Sequence, residues 1–197
     1  VLKIAAFILL ALALAIGGGA ASAWLALENL RGLGAIEIGP WTAFPNAGSR
    51  NADPYSAARA ARRAELALGP AEGIRFIAGR DSQGVPLSGR CRYRLSGMVP
   101  QARLWTLHAL GPDERPLRPY AARQPGLHSR ELLRAEDGSF LIAIDRRAAP
   151  GNWLAVAEGP FLLVLTLYDT PVTGAAGLVE LSLPRLVRED CDNAPAT

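Results

Sequence analysis

The sequence predicts a mainly β fold, a jelly-roll-like antiparallel β-sandwich with one early α-helix, preceded by an N-terminal transmembrane helix. Three observations predict it. An uncharged apolar run opens the chain, a single alanine-rich segment has helical start and stop signals, and the rest is short alternating or apolar runs between turn residues. The chain has 197 residues, half of them hydrophobic and a fifth charged. That composition belongs to a folded chain and excludes disorder or a collagen-like repeat. About 170 residues follow the apolar start, enough to bury about two-thirds of their unfolded surface without metal or a dense disulfide framework. No internal repeat is visible.

No charge occurs from Ile4 to Leu27, and a helix of that length crosses the roughly 30 Å hydrocarbon core of a bilayer. Two readings compete. In a cleavable signal peptide, Lys3 is the charged start, Ile4–Ile16 the apolar core and Ala21-Ser22-Ala23 the cleavage site. In an uncleaved anchor the helix continues through Trp24 at the outer interface. The anchor is the favoured reading, because the apolar stretch runs on past the cleavage site. The expected organisation is an anchor over 1–27, a linker over 28–38 and a sandwich domain over 39–197. With Lys3 on the cytoplasmic side, the protein is a single-pass bacterial inner-membrane protein whose C-terminal domain lies in the periplasm.

Cys91 and Cys191 are the only cysteines, in no metal-ligand spacing. Export to an oxidising compartment makes a Cys91–Cys191 disulfide the expectation; two unrelated buried thiols are the alternative. The net charge of +3 comes from 20 Arg and one Lys set among 18 acidic residues. Arg62–Arg63 and Arg146–Arg147 are the only adjacent basic pairs, so the contiguous stripe that nucleic-acid binding needs is missing.

Along the exported part, Glu28–Ile38 reads as a connector that can begin the first strand, and Gly39-Pro40-Trp41 and Pro45–Ser49 as turns. Asp53 is an N-cap and Pro54 a first helical residue. Ala57, Ala58, Ala60, Ala61, Ala64 and Leu66 carry that helix to Gly69-Pro70, with Arg59, Arg62 and Arg63 on its solvated side. Strands follow at Ile74–Ala78, Arg90–Leu95, Arg103–Leu110 and Phe161–Tyr168. Within Arg90–Leu95 the arginines alternate with Cys91, Tyr93 and Leu95, as in a half-buried strand. The uniformly apolar Phe161–Tyr168 suits a central strand. Glu131–Glu136 and Ser139–Asp145 flank Asp137-Gly138, a hairpin signal. Leu178–Val187 reads as a last strand, placed at an edge by Pro184.

Several segments together resemble one family: Gly39-Pro-Trp41, Asn46-Ala-Gly-Ser49, Asp81-Ser-Gln-Gly84, Cys91-Arg-Tyr93 and Ala102-Arg-Leu-Trp-Thr106. Ser129-Arg-Glu131, Gly151-Asn-Trp-Leu154, Leu167-Tyr-Asp-Thr-Pro171 and Leu183-Pro184 extend the likeness to about Ile38–Cys191. The chain resembles the domain of unknown function 1214 family in its short form, with one membrane segment and without the preceding family 1254 domain of the longer form. The resemblance implies a jelly-roll-type sandwich and no established enzymatic activity. Ala155 stands where the family usually has Pro, and Thr166 where it commonly has a basic residue.

Catalytic patterns are sparse. There is no Gly-x-Ser-x-Gly elbow. The two histidines, His108 in a strand and His128 in a loop, make a Ser129–His108–Asp triad drawable but not distinguished. No zinc or EF-hand pattern occurs, so neither cofactor nor metal is expected. Polar and aromatic residues at strand ends are the ligand-binding candidates: Tyr55, Arg59, Arg130, Asn152, Trp153, Tyr168 and Asp169. The leading expectation is a membrane-anchored periplasmic module that binds an envelope component, glycan or protein, without catalysis. Its partners are the lipid bilayer and that component, not nucleic acid. A carbohydrate-active or other hydrolytic enzyme, and an accessory subunit of a membrane complex, are the alternatives.

Overall fold

A computed structural model of the chain describes residues 2–29, 34–63, 66–117, 126–172 and 181–192. The first helix, α1 (Leu2–Asn29), contains a 23-residue stretch, Lys3–Leu25, with mean hydropathy 2.4 and no buried residue. It is long and apolar enough to cross a membrane. Because its apolar side chains point in every direction and are left unburied by the rest of the chain, lipid is the medium that suits it.

The second helix, α2 (Pro54–Arg63), starts where capping chemistry places it. Asp53 Oδ1 accepts the backbone N–H of Tyr55 and of Ser56, each at 3.0 Å, which satisfies two of the donors a helix start leaves open. The expected continuation to Gly69 is not observed. Residues 64–65 lie outside the described residues, and Leu66 is no longer helical and is 97% exposed. The chain instead crosses the Pro45–Ser49 turn so closely that a Cβ on Gly48 would stand 2.1 Å from the Leu68 carbonyl oxygen. This tertiary contact overrides the helix propensity of Ala67 and Leu68. Among the described elements, α2 packs chiefly against α1 rather than on the sheets.

The remainder is mainly β, in two facing sheets. Its strands are β1 (Ile36–Ile38), β2 (Trp41–Ala43), β3 (Gly73–Ala78), β4 (Cys91–Gly97), β5 (Leu104–Leu110), β6 (Gly126–His128), β7 (Phe140–Asp145), β8 (Asn152–Ala155), β9 (Leu162–Tyr168) and β10 (Arg185–Cys191). One sheet has the order β1-β2-β3-β9-β5-β6, the other β10-β4-β7-β8. The apolar run predicted to be central is β9, hydrogen-bonded to β3 and β5 on either side, with Leu163–Leu167 buried throughout. Leu165 stands opposite both Phe76 and Leu107. In β4, Cys91, Tyr93 and Leu95 are buried while Arg92 and Arg94 are exposed, as the alternation requires.

Aromatic side chains close the core between the sheets. Tyr93 meets Phe161 edge-on at 5.8 Å, Trp105 and Phe140 lie 5.2 Å apart, and the fully buried Trp41 donates its indole N–H to the Pro184 carbonyl at 2.8 Å. Each large apolar side chain buried in this way contributes about 1.5–3 kcal/mol.

The six-stranded sheet is antiparallel throughout, and the four-stranded sheet is mixed, since β7 and β8 run parallel, with Ala143 beside Trp153 and Ile144 beside Leu154. Asn152 opens β8. The hairpin at Asp137-Gly138 is corrected too. Its tight turn exists, with Ala135 donating to the Ser139 carbonyl and Gly138 at positive φ. Residues 132–135, however, form no strand: both backbone polar groups of Leu133 are held by the Asn152 side chain and those of Ala135 by the turn itself. Trp41 begins β2 and His128 ends β6, in place of the expected turn and loop. The last strand starts at Arg185, after Pro184, and forms the edge of its sheet; residues 178–180 of the expected strand lie outside the described residues.

Candidate functional site

The parallel β7–β8 pair creates an open concavity. Parallel neighbours ordinarily need a crossover of a dozen or more residues. Here the chain leaves β7 at Asp145 and re-enters beside Ile142 at Asn152, so residues 146–151 run back along the sheet's outer face. The indole N–H of Trp153 donates to the Asp145 carbonyl at 2.9 Å and ties the two ends of this crossover together. Against its wall of Ala148, Ala149 and Pro150 lies a groove of about 280 Å³ floored by Arg92, Arg94, Leu141 and Ala143, with Glu189 at its side. Leu141 is half exposed.

The groove's charges are paired. Arg92 Nε bonds Asp145 Oδ2 at 2.6 Å, and Arg94 pairs with Glu189. Beside them, Arg146 bridges Glu158 and Asp192, and Arg147 reaches Asp192 at 3.1 Å. The Cys91–Cys191 disulfide lies at the same end of β4 and β10, joining directly opposed residues. Burial works against ionisation of Asp145. The backbone N–H of Arg147 and the Arg92 guanidinium outweigh it and hold the carboxyl below its usual range. A general acid needs the reverse shift. What the groove offers is a flat aliphatic floor edged by guanidinium donors of nearly balanced charge.

The sequence-predicted residues are dispersed. Tyr55 and Arg59 belong to α2, away from the sheets. Arg130 follows β6, and Tyr168 ends β9, with Asp169 just beyond it, at the same end of the six-stranded sheet, where β5 begins at Leu104. Asp169 takes a positive φ of 49° and faces Arg103 at 3.5 Å. Asn152 ties the 132–141 segment together: its Oδ1 accepts from Leu133 N at 2.7 Å, and its Nδ2 donates to the carbonyls of Leu133 and Leu141. Trp153 is half-buried on the outer face beside Ala143, next to the groove.

Most motif residues do structural work. Asp81 Oδ1 accepts from Gln83 N and Val85 N, while its Oδ2 pairs with Arg188 at 3.2 Å over the Tyr93 ring. Ser82 exchanges hydrogen bonds with Leu186 and so fastens this turn to β10. Ser129 Oγ accepts from Trp105 N at 3.3 Å, and Glu131 accepts from His128 N. Among the described residues no hydrogen bond joins Ser129 to His108, and no group of three metal-ligating side chains occurs. Sequence reasoning missed Arg92, Arg94, Leu141 and Ala143 as site residues. The alternation of Arg92 and Arg94 was the one signal available, and it reads equally as a solvated face.

Fold and groove together define a β-sandwich domain that follows a helix able to cross a membrane. Residues 72–172 match the family described as protein of unknown function, DUF1214, and the chain belongs to that family. Comparison with curated proteins finds no match. Among solved structures, the VPA0106 protein from Vibrio parahaemolyticus matches 71% of this chain and 36% of its own, at 21% identity and a TM-score of 0.57. An uncharacterised protein from Burkholderia cenocepacia matches 66% of this chain and 32% of its own, at 19% identity and a TM-score of 0.41. The chain thus spans about a third of the length of these two proteins. The Vibrio likeness bears on fold alone.

Proposed function

We propose that the protein is a single-pass inner-membrane protein whose sandwich domain sits in the periplasm and binds an envelope glycan without transforming it. The groove between β4, β7 and the 146–151 crossover carries this reading. Its volume of about 280 Å³ suits one sugar ring, just below the range of drug-sized sites. Its flat floor of Leu141 and Ala143 offers an apolar face, and Arg92 and Arg94 supply hydrogen-bond donors at the edge. Their pairing with Asp145 and Glu189 leaves little net charge, which favours a neutral polyol over a free anion. The apolar α1 and the disulfide support the compartment, since cystines persist in oxidising surroundings. Glycosidase chemistry gains no support here, because Glu189 in the groove and the neighbouring Asp145 are both committed to arginines.

The test is a screen of soluble peptidoglycan and polysaccharide fragments by saturation-transfer NMR against the full chain in detergent. Binding that weakens at least tenfold in R94A and survives in R130A supports the groove. Binding indifferent to Arg94, or turnover of the fragment, contradicts the reading.

A further inference from the structure

The edge strand β10 carries one residue more than the strand it pairs with. Arg188 stands opposite Tyr93 and Asp190 opposite Arg92, so Glu189 between them has no counterpart on β4. A bulge of this kind interrupts the alternation of faces and re-aims the side chain it adds. A regular strand would offer the outer face one of these two acids. The bulge offers both: Glu189 pairs with Arg94, and Asp190 stands across from Arg92. Packing does not demand the first pair, since Arg94 is half in solvent and exposed ion pairs add little to stability. Asp145, the partner of Arg92, is also fixed by the backbone N–H of Arg147 at 3.0 Å. Glu189 has Arg94 as its one ion-pair partner among the described residues, and it lines the groove itself.

We propose that Glu189 is the specificity-determining residue of the groove, restricting it to sugars that carry no carboxylate or phosphate. The proposal rests on the glycan reading above and names what selects the ligand. With Glu189 in place, the charge of Arg94 is met before a ligand arrives, and the remaining guanidinium N–H groups donate to hydroxyls. An acidic ring would set a second anion against Glu189, and opposed like charges are an effective means of excluding a wrong partner. Without that carboxylate, Arg94 becomes an unpaired guanidinium, whose planar fork suits a ligand carboxylate.

The experiment titrates glucose and glucuronate, which differ by one carboxylate, into the full chain in detergent at low salt. Binding is read by saturation-transfer NMR and by the side-chain signals of isotope-labelled arginine. E189Q is expected to bind glucuronate about tenfold more tightly than the wild type, with the Arg94 signal moving as it binds. R94A/E189Q loses the gain, raised salt shrinks it, and E37Q, the same change of net charge on β1 of the other sheet, does not produce it. Amide exchange of β9 is the control for folding. No gain in E189Q, a gain that E37Q matches, or one that survives the loss of Arg94 overturns the proposal. Glucose reports on the glycan reading separately: a wild type that takes no glucose, beside an E189Q that gains glucuronate, counts against that reading and supports the role of Glu189.

Discussion

Cys91 and Cys191, separated by 100 residues in sequence, stand directly opposite each other across the β4–β10 ladder and are joined by a disulfide. The bridge clamps the sheet's edge strand, which carries Asp190 and ends beside Asp192. Closing so long a loop stabilises the native state by about 4 kcal/mol in the chain-entropy description. The C91S/C191S double variant is therefore expected to lose a few kcal/mol in urea unfolding. The unmodified protein should lose the same amount on adding reductant, and a reductant-insensitive midpoint contradicts this.

The Arg92–Asp145 pair sets a pH dependence with a definite sign. The Asp145 carboxyl is held below its ordinary value of 3.8, so its stabilisation is complete above that value and is lost as pH falls through the depressed native one. D145N is expected to be less stable than the wild type by about 1–2 kcal/mol at neutral pH, reduced because Arg92 is half in solvent. Unfolding measured from neutral pH downward should show this gap constant to about pH 5 and narrowing below about pH 4. A gap that widens on acidification refutes the assignment.

Asn152 binds the 132–141 segment with both ends of its amide, so charge and truncation should act alike there. N152A is expected to cost about 1–3 kcal/mol. N152D should cost at least as much, because its carboxylate would face the Leu133 and Leu141 carbonyls. Thermal unfolding checks the cost, and hydrogen exchange over 132–139 should rise in both variants. If N152D is neutral, the amide's orientation is not what holds the segment.

Gly89 has a different reason to be glycine from that of Gly84. A Cβ at Gly89 would lie 1.9 Å from the Ala157 carbonyl oxygen, whereas at Gly84, where φ is 83°, it meets open space. G89A forces the backbone apart and is expected to cost about 3 kcal/mol. G84A strains only a left-handed turn, for about 1 kcal/mol. Chemical denaturation of the two variants checks the order, and a reversal contradicts it.

How much of this was legible in the sequence follows from what periodicity encodes. The alternation around Tyr93 and the unbroken apolar run of β9 report local burial, and those strands appear where expected. The same holds for Asp53, whose capping depends on its immediate neighbours. The 132–135 segment was misread because the Asp137-Gly138 turn is real but the residues before it are held by Asn152, a partner distant in sequence, rather than by a ladder. The parallel β7–β8 pair was hidden because its crossover is only six residues long and ends in Pro150-Gly151, the signal that a tight reversal also gives. For that reason the groove stayed out of view: its floor comes from two strands and its wall from the crossover, and no linear motif joins them. Motif residues such as Asp81 and Ser82, which carried the family likeness, act as fasteners, and Asn152 holds the 132–141 segment.

The central claim is a tethered sandwich lying outside the cytoplasm, and spheroplasts of a bacterial host expressing the full chain test it most directly. Added protease should digest the sandwich domain of the intact spheroplasts, with the undigested protein in the membrane fraction and both cysteines unreactive to thiol labelling until reduced. A domain protected from protease until the cells are lysed, with two free thiols, contradicts the account.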